Sequence, residues 1–140
     1  MKLYKYVRDQ LAGDPFLWLV LAPAMLGAWL LTFLVQAMIG TLGLWLESAA
    51  SLFEAWLGIS SILSGYLIPL DLFPPAIRDI ALVLPFRFLL SFPVELVLGR
   101  VDRSHALILL AAQWGYVAVA LLGTKALWRS GLRRFAAYGG

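Results

Sequence analysis

A chain of 140 residues that is 62% hydrophobic and 14% charged, with a mean hydropathy of +0.87, lies outside the range of soluble globular domains, which sit near half apolar and a quarter charged. The absence of cysteine excludes disulfides, thiol nucleophiles and cysteine-bound metals. The net charge of +3 sits in short flanks between apolar runs, where it reports membrane orientation and headgroup contact before nucleic acid, so the composition predicts one all-α integral membrane domain.

The first residues, MKLYKYVRDQLAGDP, have the basic start of a signal peptide. The apolar run that follows is too long for an h-region and has no clear cleavage site, so it is expected to stay in the membrane. Pro15 to Leu46 contains no charged residue across 32 positions. A spanning helix needs roughly 20 residues and a two-span hairpin roughly 40, so one long or tilted helix over 16–46 is preferred. Trp18 and Trp45 support it, because 27 residues at ~1.5 Å each put the two indoles roughly 40 Å apart, the headgroup-to-headgroup distance. Pro23 comes early in the run, where a kink is tolerable.

A turn with Glu47 and Glu54 leads into a second helix, expected over 50–70 and ended by Pro69. Ser60 with Ser64, and Ser61 with Gly65, are small residues four apart that allow two backbones to approach closely. The alternative is that the serines bond carbonyls one turn back. Residues 71–104 are broken by Pro74, Pro75, Pro85 and Pro93 into pieces of about a dozen residues, each too short to span. Irregular backbone survives at membrane depth only where protein or a water-filled cavity covers it, which predicts a short re-entrant helix pair. Ala106 to Thr124 offers 19 uncharged residues for a further span, expected over 105–127. The basic tail, 128–140, follows it.

Three spans would place seven Lys/Arg on the side of the N-terminal flank and broken segment, and four on the side of the 47–55 turn and tail. That count puts the tail outside. A fourth span over 80–98 would place both termini inside, at the expense of carrying Arg87 and Glu95 through the bilayer. Charge leaves both topologies open.

No P-loop and no H-E-x-x-H is present, and His105 has no partners for a metal site. The serines lack a nearby base, and no carboxylate or cation marks a proton relay in the two clearest spans. Gln36 and Gln113 are expected to bond between helices, with pathway lining as the alternative. No enzyme chemistry, cofactor or metal is expected.

The segments IGTLGLWLESAASL, LSGYLIPLDLFP, LPF and AQWGYVAVALLGTKALWRSGLRRFAAYGG, in this order, resemble the C-terminal half of the ABC-2 type permeases, in particular six-helix bacterial ones ending in a basic, aromatic, double-glycine tail. The matching positions are Gly40, Trp45, Ser64, Gly65, Ile68, Pro69, Leu70, Phe73, Pro74, Leu84, Pro85, Phe86, Pro93, Gln113, Trp114, Gly131, Arg133, Arg134, Tyr138, Gly139 and Gly140. The resemblance implies three transmembrane helices (16–46, 50–70, 105–127), a re-entrant pair over 73–98 on the extracytoplasmic face, and a cytoplasmic C-terminus in the plasma membrane of a bacterium. It implies a membrane subunit of an ATP-binding cassette exporter, in the manner of multidrug efflux, moving a lipophilic or amphipathic cargo. Its partners would be an ATPase subunit, a second permease subunit (identical or different) and the lipid bilayer, with no nucleic acid. The family's first three helices and its coupling helix have no counterpart here, which implies either a truncated chain or a split one whose other half a separate chain supplies. An outer gate is expected from Ser64, Gly65, Ile68, Pro69, Phe73, Pro74, Pro85, Phe86 and Pro93, and helix packing from Gly40, Ser60, Ser61, Gln113 and Trp114. The competing readings are a small structural or regulatory membrane subunit that moves nothing and a homo-oligomeric channel. The latter would need a polar stripe that 16–46 does not display.

Overall fold

The computed structural model describes residues 13–46, 48–68 and 72–138, and among these every regular element is helical. Helix α1, Pro15–Leu42, begins where the Asp14 carboxylate accepts the Phe16 amide at 3.0 Å and Pro15 occupies the first turn, where a missing N–H costs nothing. Its 28 residues are about 42 Å long. It winds out through tight turns, Gly43 to Gly40 and Leu44 to Thr41, so Trp45 lies just beyond the helix and not within it.

Helix α2, Ala49–Leu63, is shorter than the expected 50–70. Gly65 adopts φ 83, a left-handed conformation that ends the helix, and the Leu67 amide closes back on the Ser61 carbonyl at 3.1 Å. Pro69, the expected terminator, lies outside the described residues, as do the N-terminal flank, Glu47 and the final glycines. Helix α3, Pro75–Val83, opens on proline, and Leu84 is extended (ψ 157), the conformation favoured before a proline. Pro85–Leu89 forms a 3-10 turn, and α4, Ser91–Val97, follows with Pro93 in its first turn. Gly99, at φ 61, reverses the chain into α5. The last helix, Arg103–Tyr138, runs 36 residues, beyond the expected 105–127 and through the basic tail, because Ala, Leu, Lys and Arg favour helix and no proline interrupts them. At its start the Asp102 carboxylate accepts from Ser104 and from the His105 amide, bonds that hold its carboxyl below the usual range. The His105 Nδ1 lies 2.8 Å from the same carboxylate, so the lone histidine belongs to this cap.

Helices α1 and α5 run parallel and in register. Arg103 grips the Asp14 carboxylate with two bonds (2.6 and 2.9 Å), Gln113 reaches the Ala24 carbonyl at 3.0 Å, and Thr124 reaches the Leu34 carbonyl at 3.3 Å. The sequence offsets are 89, 89 and 90, and a constant offset along two helices is possible only when they point the same way. Leu17, Val20, Ala24, Leu31 and Leu34 meet Ala106, Val117 and Ala120 along the seam, at the spacing of parallel helices with one apolar stripe. Their outer faces are apolar too. Only 33% and 22% of the most apolar stretches of the two helices are buried inside the protein, so they need a hydrocarbon or protein surround, and both are long enough to cross a bilayer. Helix α2, about 22 Å long, is not.

Because α1 and α5 share a direction, residues 43–102 must carry the chain back to the level at which α1 began. Phe88, within the 3-10 turn, accepts a hydrogen bond from Gln113, ten residues along α5 and level with Ala24. The turn therefore sits about 15 Å below the Asp14–Arg103 pair, half of a ~30 Å hydrocarbon core.

Candidate functional site

The broken segment is held to the helix pair by apolar side chains. Phe88, Phe92 and Leu96 are all but fully buried against the seam, with the Phe88 and Phe92 rings edge to face at 6.0 Å and Phe88 also against Tyr116 at 5.5 Å. Three polar contacts fix its orientation. The completely buried Gln113 carboxamide donates from Nε2 to the carbonyls of Ala24 and Phe88, both at 3.0 Å, which ties α1, α5 and the 3-10 turn together. Tyr116 donates to the Val83 carbonyl at the end of α3, and Ser91 donates to the Ser64 carbonyl at the end of α2 at 2.7 Å. Each hydroxyl donates to a carbonyl at a helix end, where carbonyls have no partner within the helix.

The contact of Gln113 with α1 depends on Gly27, where a Cβ would come within 2.8 Å of the carboxamide carbon and Oε1. Space for the polar clamp thus comes from a missing side chain on α1. Oε1 is buried without a partner, a cost accepted because Nε2 bonds twice.

On its open side the segment encloses a cleft of about 520 Å³, whose lining includes Gly65 from the α2 turn, Arg78 from α3, Arg87 from the 3-10 turn, Ser91 and Glu95 from α4, and Arg100, with leucine and valine side chains between them. Arg87 Nη2 meets Glu95 Oε2 at 2.6 Å, with both side chains about four-fifths buried. A guanidinium and a carboxylate this far from bulk water require each other. The pair welds the 3-10 turn to α4. A shallower cleft of about 290 Å³ lies between Ser60, Ser61 and Ser64 of α2 and Leu89 and Leu90.

The expected gate residues gather around this segment. Ser64 is buried at the end of α2, Gly65 lines the larger cleft, Pro85 opens the 3-10 turn and the half-buried Phe86 packs on Trp56 at 5.3 Å. Pro93 is buried in α4, Pro74 caps α3, Phe73 is half-buried and Ile68 is exposed. Among the expected packing residues, Trp114 lies against the core and Gln36 is half-buried on α1. Gly40 is exposed with nothing within 4 Å of where its Cβ would be, so it brings no helix close within this chain. Ser60 and Ser61 both bond back to the Leu57 carbonyl, at 3.2 and 2.6 Å, and the close helix approach expected at them is replaced by the shallow cleft. Sequence reasoning passed over Gly27, Tyr116, Ser91 and the Arg87–Glu95 pair. The signal for the pair was present: opposite charges eight residues apart in an otherwise apolar stretch, read only as a cost of crossing.

A family model described as ABC-2 family transporter protein matches residues 2–139, nearly the whole chain. No curated protein and no solved structure matches the chain.

Proposed function

Since the chain belongs to the ABC-2 family of transporter proteins, and so to the membrane component of transport, we propose that it acts as a permease subunit of an exporter driven by a separate ATP-binding cassette ATPase. The observation that carries this reading is the 3-10 turn clamped by Gln113 between two parallel long helices, ten residues along α5 from its start. Two parallel helices require the chain between them to return once, and α2 with the residues after it supplies that return. The segment 75–97 then enters and leaves by the same face, as a re-entrant cap. In this reading the three crossings are α1, the return made by α2 together with the residues after it, and α5; the cap faces the extracytoplasmic side, and α5 ends in the cytoplasm of a bacterial cell. ATP-driven movement of paired permease subunits would rock the helix pair and open the cap as an outer gate. Cargo of lipophilic or amphipathic character suits a pathway whose long helices carry no charge between Pro15 and Leu46 or between Ala106 and Thr124.

The chain has no cysteine, so single-cysteine variants give clean topology. Cysteines at positions 76 and 102 should both react with an impermeant maleimide from the periplasmic side of intact cells. Labelling from opposite sides refutes the cap. Affinity purification from mild-detergent membranes should bring down an ATP-binding cassette ATPase. Recovery without any such subunit would favour a structural or regulatory membrane protein instead.

A further inference from the structure

We propose that the larger cleft is a binding site for a phosphate-bearing anion, either the headgroup of a phospholipid or free phosphate. Three arginines, Arg78, Arg87 and Arg100, line it together with one carboxylate, Glu95. They come from three separate parts of the chain that the fold brings to one hollow, and they are not a run of like charge solvated on one helix face. At about 520 Å³ the cleft falls within the range of small-ligand sites.

Arg87 has donor capacity left over. Its Nη2 is engaged by Glu95, but its Nε is buried without an acceptor among the described residues. A guanidinium presents five N–H groups in a planar fork that fits two oxygens of a phosphate at once, and a single carboxylate bond leaves most of that fork unused. Leu82 and Leu98 in the wall lower the local dielectric and strengthen each charge contact. Position fits as well. Arg100 lies three residues before Arg103, at the level where both long helices begin, whereas Arg87 adjoins Phe88 about 15 Å lower. The cleft thus runs from the boundary plane, where lipid phosphates sit, into the apolar zone where acyl chains would follow.

The test uses the full chain purified in neutral detergent and native mass spectrometry, so its result does not depend on whether the chain exports anything. Phosphatidylglycerol, diacylglycerol with the same chains, and inorganic phosphate are the probes. Phosphatidylglycerol should be retained at least about tenfold more strongly than diacylglycerol, and the double variant Arg78→Gln/Arg100→Gln, altered at two exposed positions, should lose about tenfold of that affinity. Displacement by millimolar phosphate assigns the site to the soluble anion, and resistance to displacement assigns it to the lipid headgroup. Equal retention of the two lipids, or a double variant that binds phosphatidylglycerol like the wild type, overturns the proposal.

Discussion

Replacing Gly27 by alanine tests the clamp that holds the broken segment in place. The new methyl would lie 2.8 Å from the Gln113 carboxamide, closer than real carbon contacts come, and the carboxamide is the group able to yield. Yielding breaks its bonds to the Ala24 and Phe88 carbonyls. At about 0.6–1 kcal/mol each these amount to ~1–2 kcal/mol, and the Phe88 carbonyl, left unpaired in a 3-10 turn, adds ~1 kcal/mol. Alanine in place of glycine within a helix returns ~1 kcal/mol, so the net loss is about 1–2 kcal/mol. In a Gln113→Ala background the carboxamide is gone and the methyl enters empty space. There the same substitution should be neutral or stabilising by up to ~1 kcal/mol, a coupling of about 2 kcal/mol between positions 86 residues apart. Unfolding of the purified chain by sodium dodecyl sulfate in mixed micelles, followed by circular dichroism, gives the four free energies. An equal cost of Gly27→Ala in both backgrounds would refute the clamp.

Breaking the Arg87–Glu95 pair from one side should be worse than removing it whole: Glu95→Gln alone costs ~1–3 kcal/mol in the same assay, and Arg87→Met/Glu95→Leu together cost less. The Asp14 carboxyl is held below its ordinary 3.8, first by Arg103 and then by the Phe16 amide, so its contribution is complete above 3.8 and is lost as pH falls through the lowered value. Wild-type stability should therefore drop more steeply below about pH 4 than that of Arg103→Gln, in which Asp102 still titrates in the same window but the Arg103 contact is gone; parallel curves would exclude the contact as a pH-dependent staple. Gly65→Ala forces a side chain into φ 83 and should cost ~1–2 kcal/mol, with α2 lengthening or the Ser91 bond to Ser64 lost, whereas Gly40→Ala, with open space around it, should be silent or slightly stabilising.

The helical character and the broken middle were legible in the sequence because their causes are local. Thirty-two residues without charge bury no ion, and a proline fixes its own φ and biases the residue before it toward extended backbone. Two local signals were misweighed. Pro69 was set above Gly65 as the end of α2, although a left-handed glycine stops a helix as surely, and the tail was separated from a helix that nothing in its composition interrupts. The direction of α5 relative to α1 was not legible at all. It is fixed by pairs such as Asp14 with Arg103 and Ala24 with Gln113, 89 residues apart, and no periodicity within either helix reports them. The importance of Gly27 was hidden for the same reason, since a small residue in an apolar run means nothing until the group that fills its vacancy is known. Arg87 and Glu95 were visible but priced singly, as two ions in oil, when their chemistry is that of one neutral couple.

Helix α5 continues without a break from Arg103 to Tyr138, about 54 Å, well past the end of α1. A rod of that length turns small rotations into large displacements: a tilt of ~10° about its Arg103 end sweeps the opposite tip through roughly 9 Å. Whatever grips the distal turns would therefore hold the long arm of a lever whose short arm, at Gln113, bears directly on the 3-10 turn.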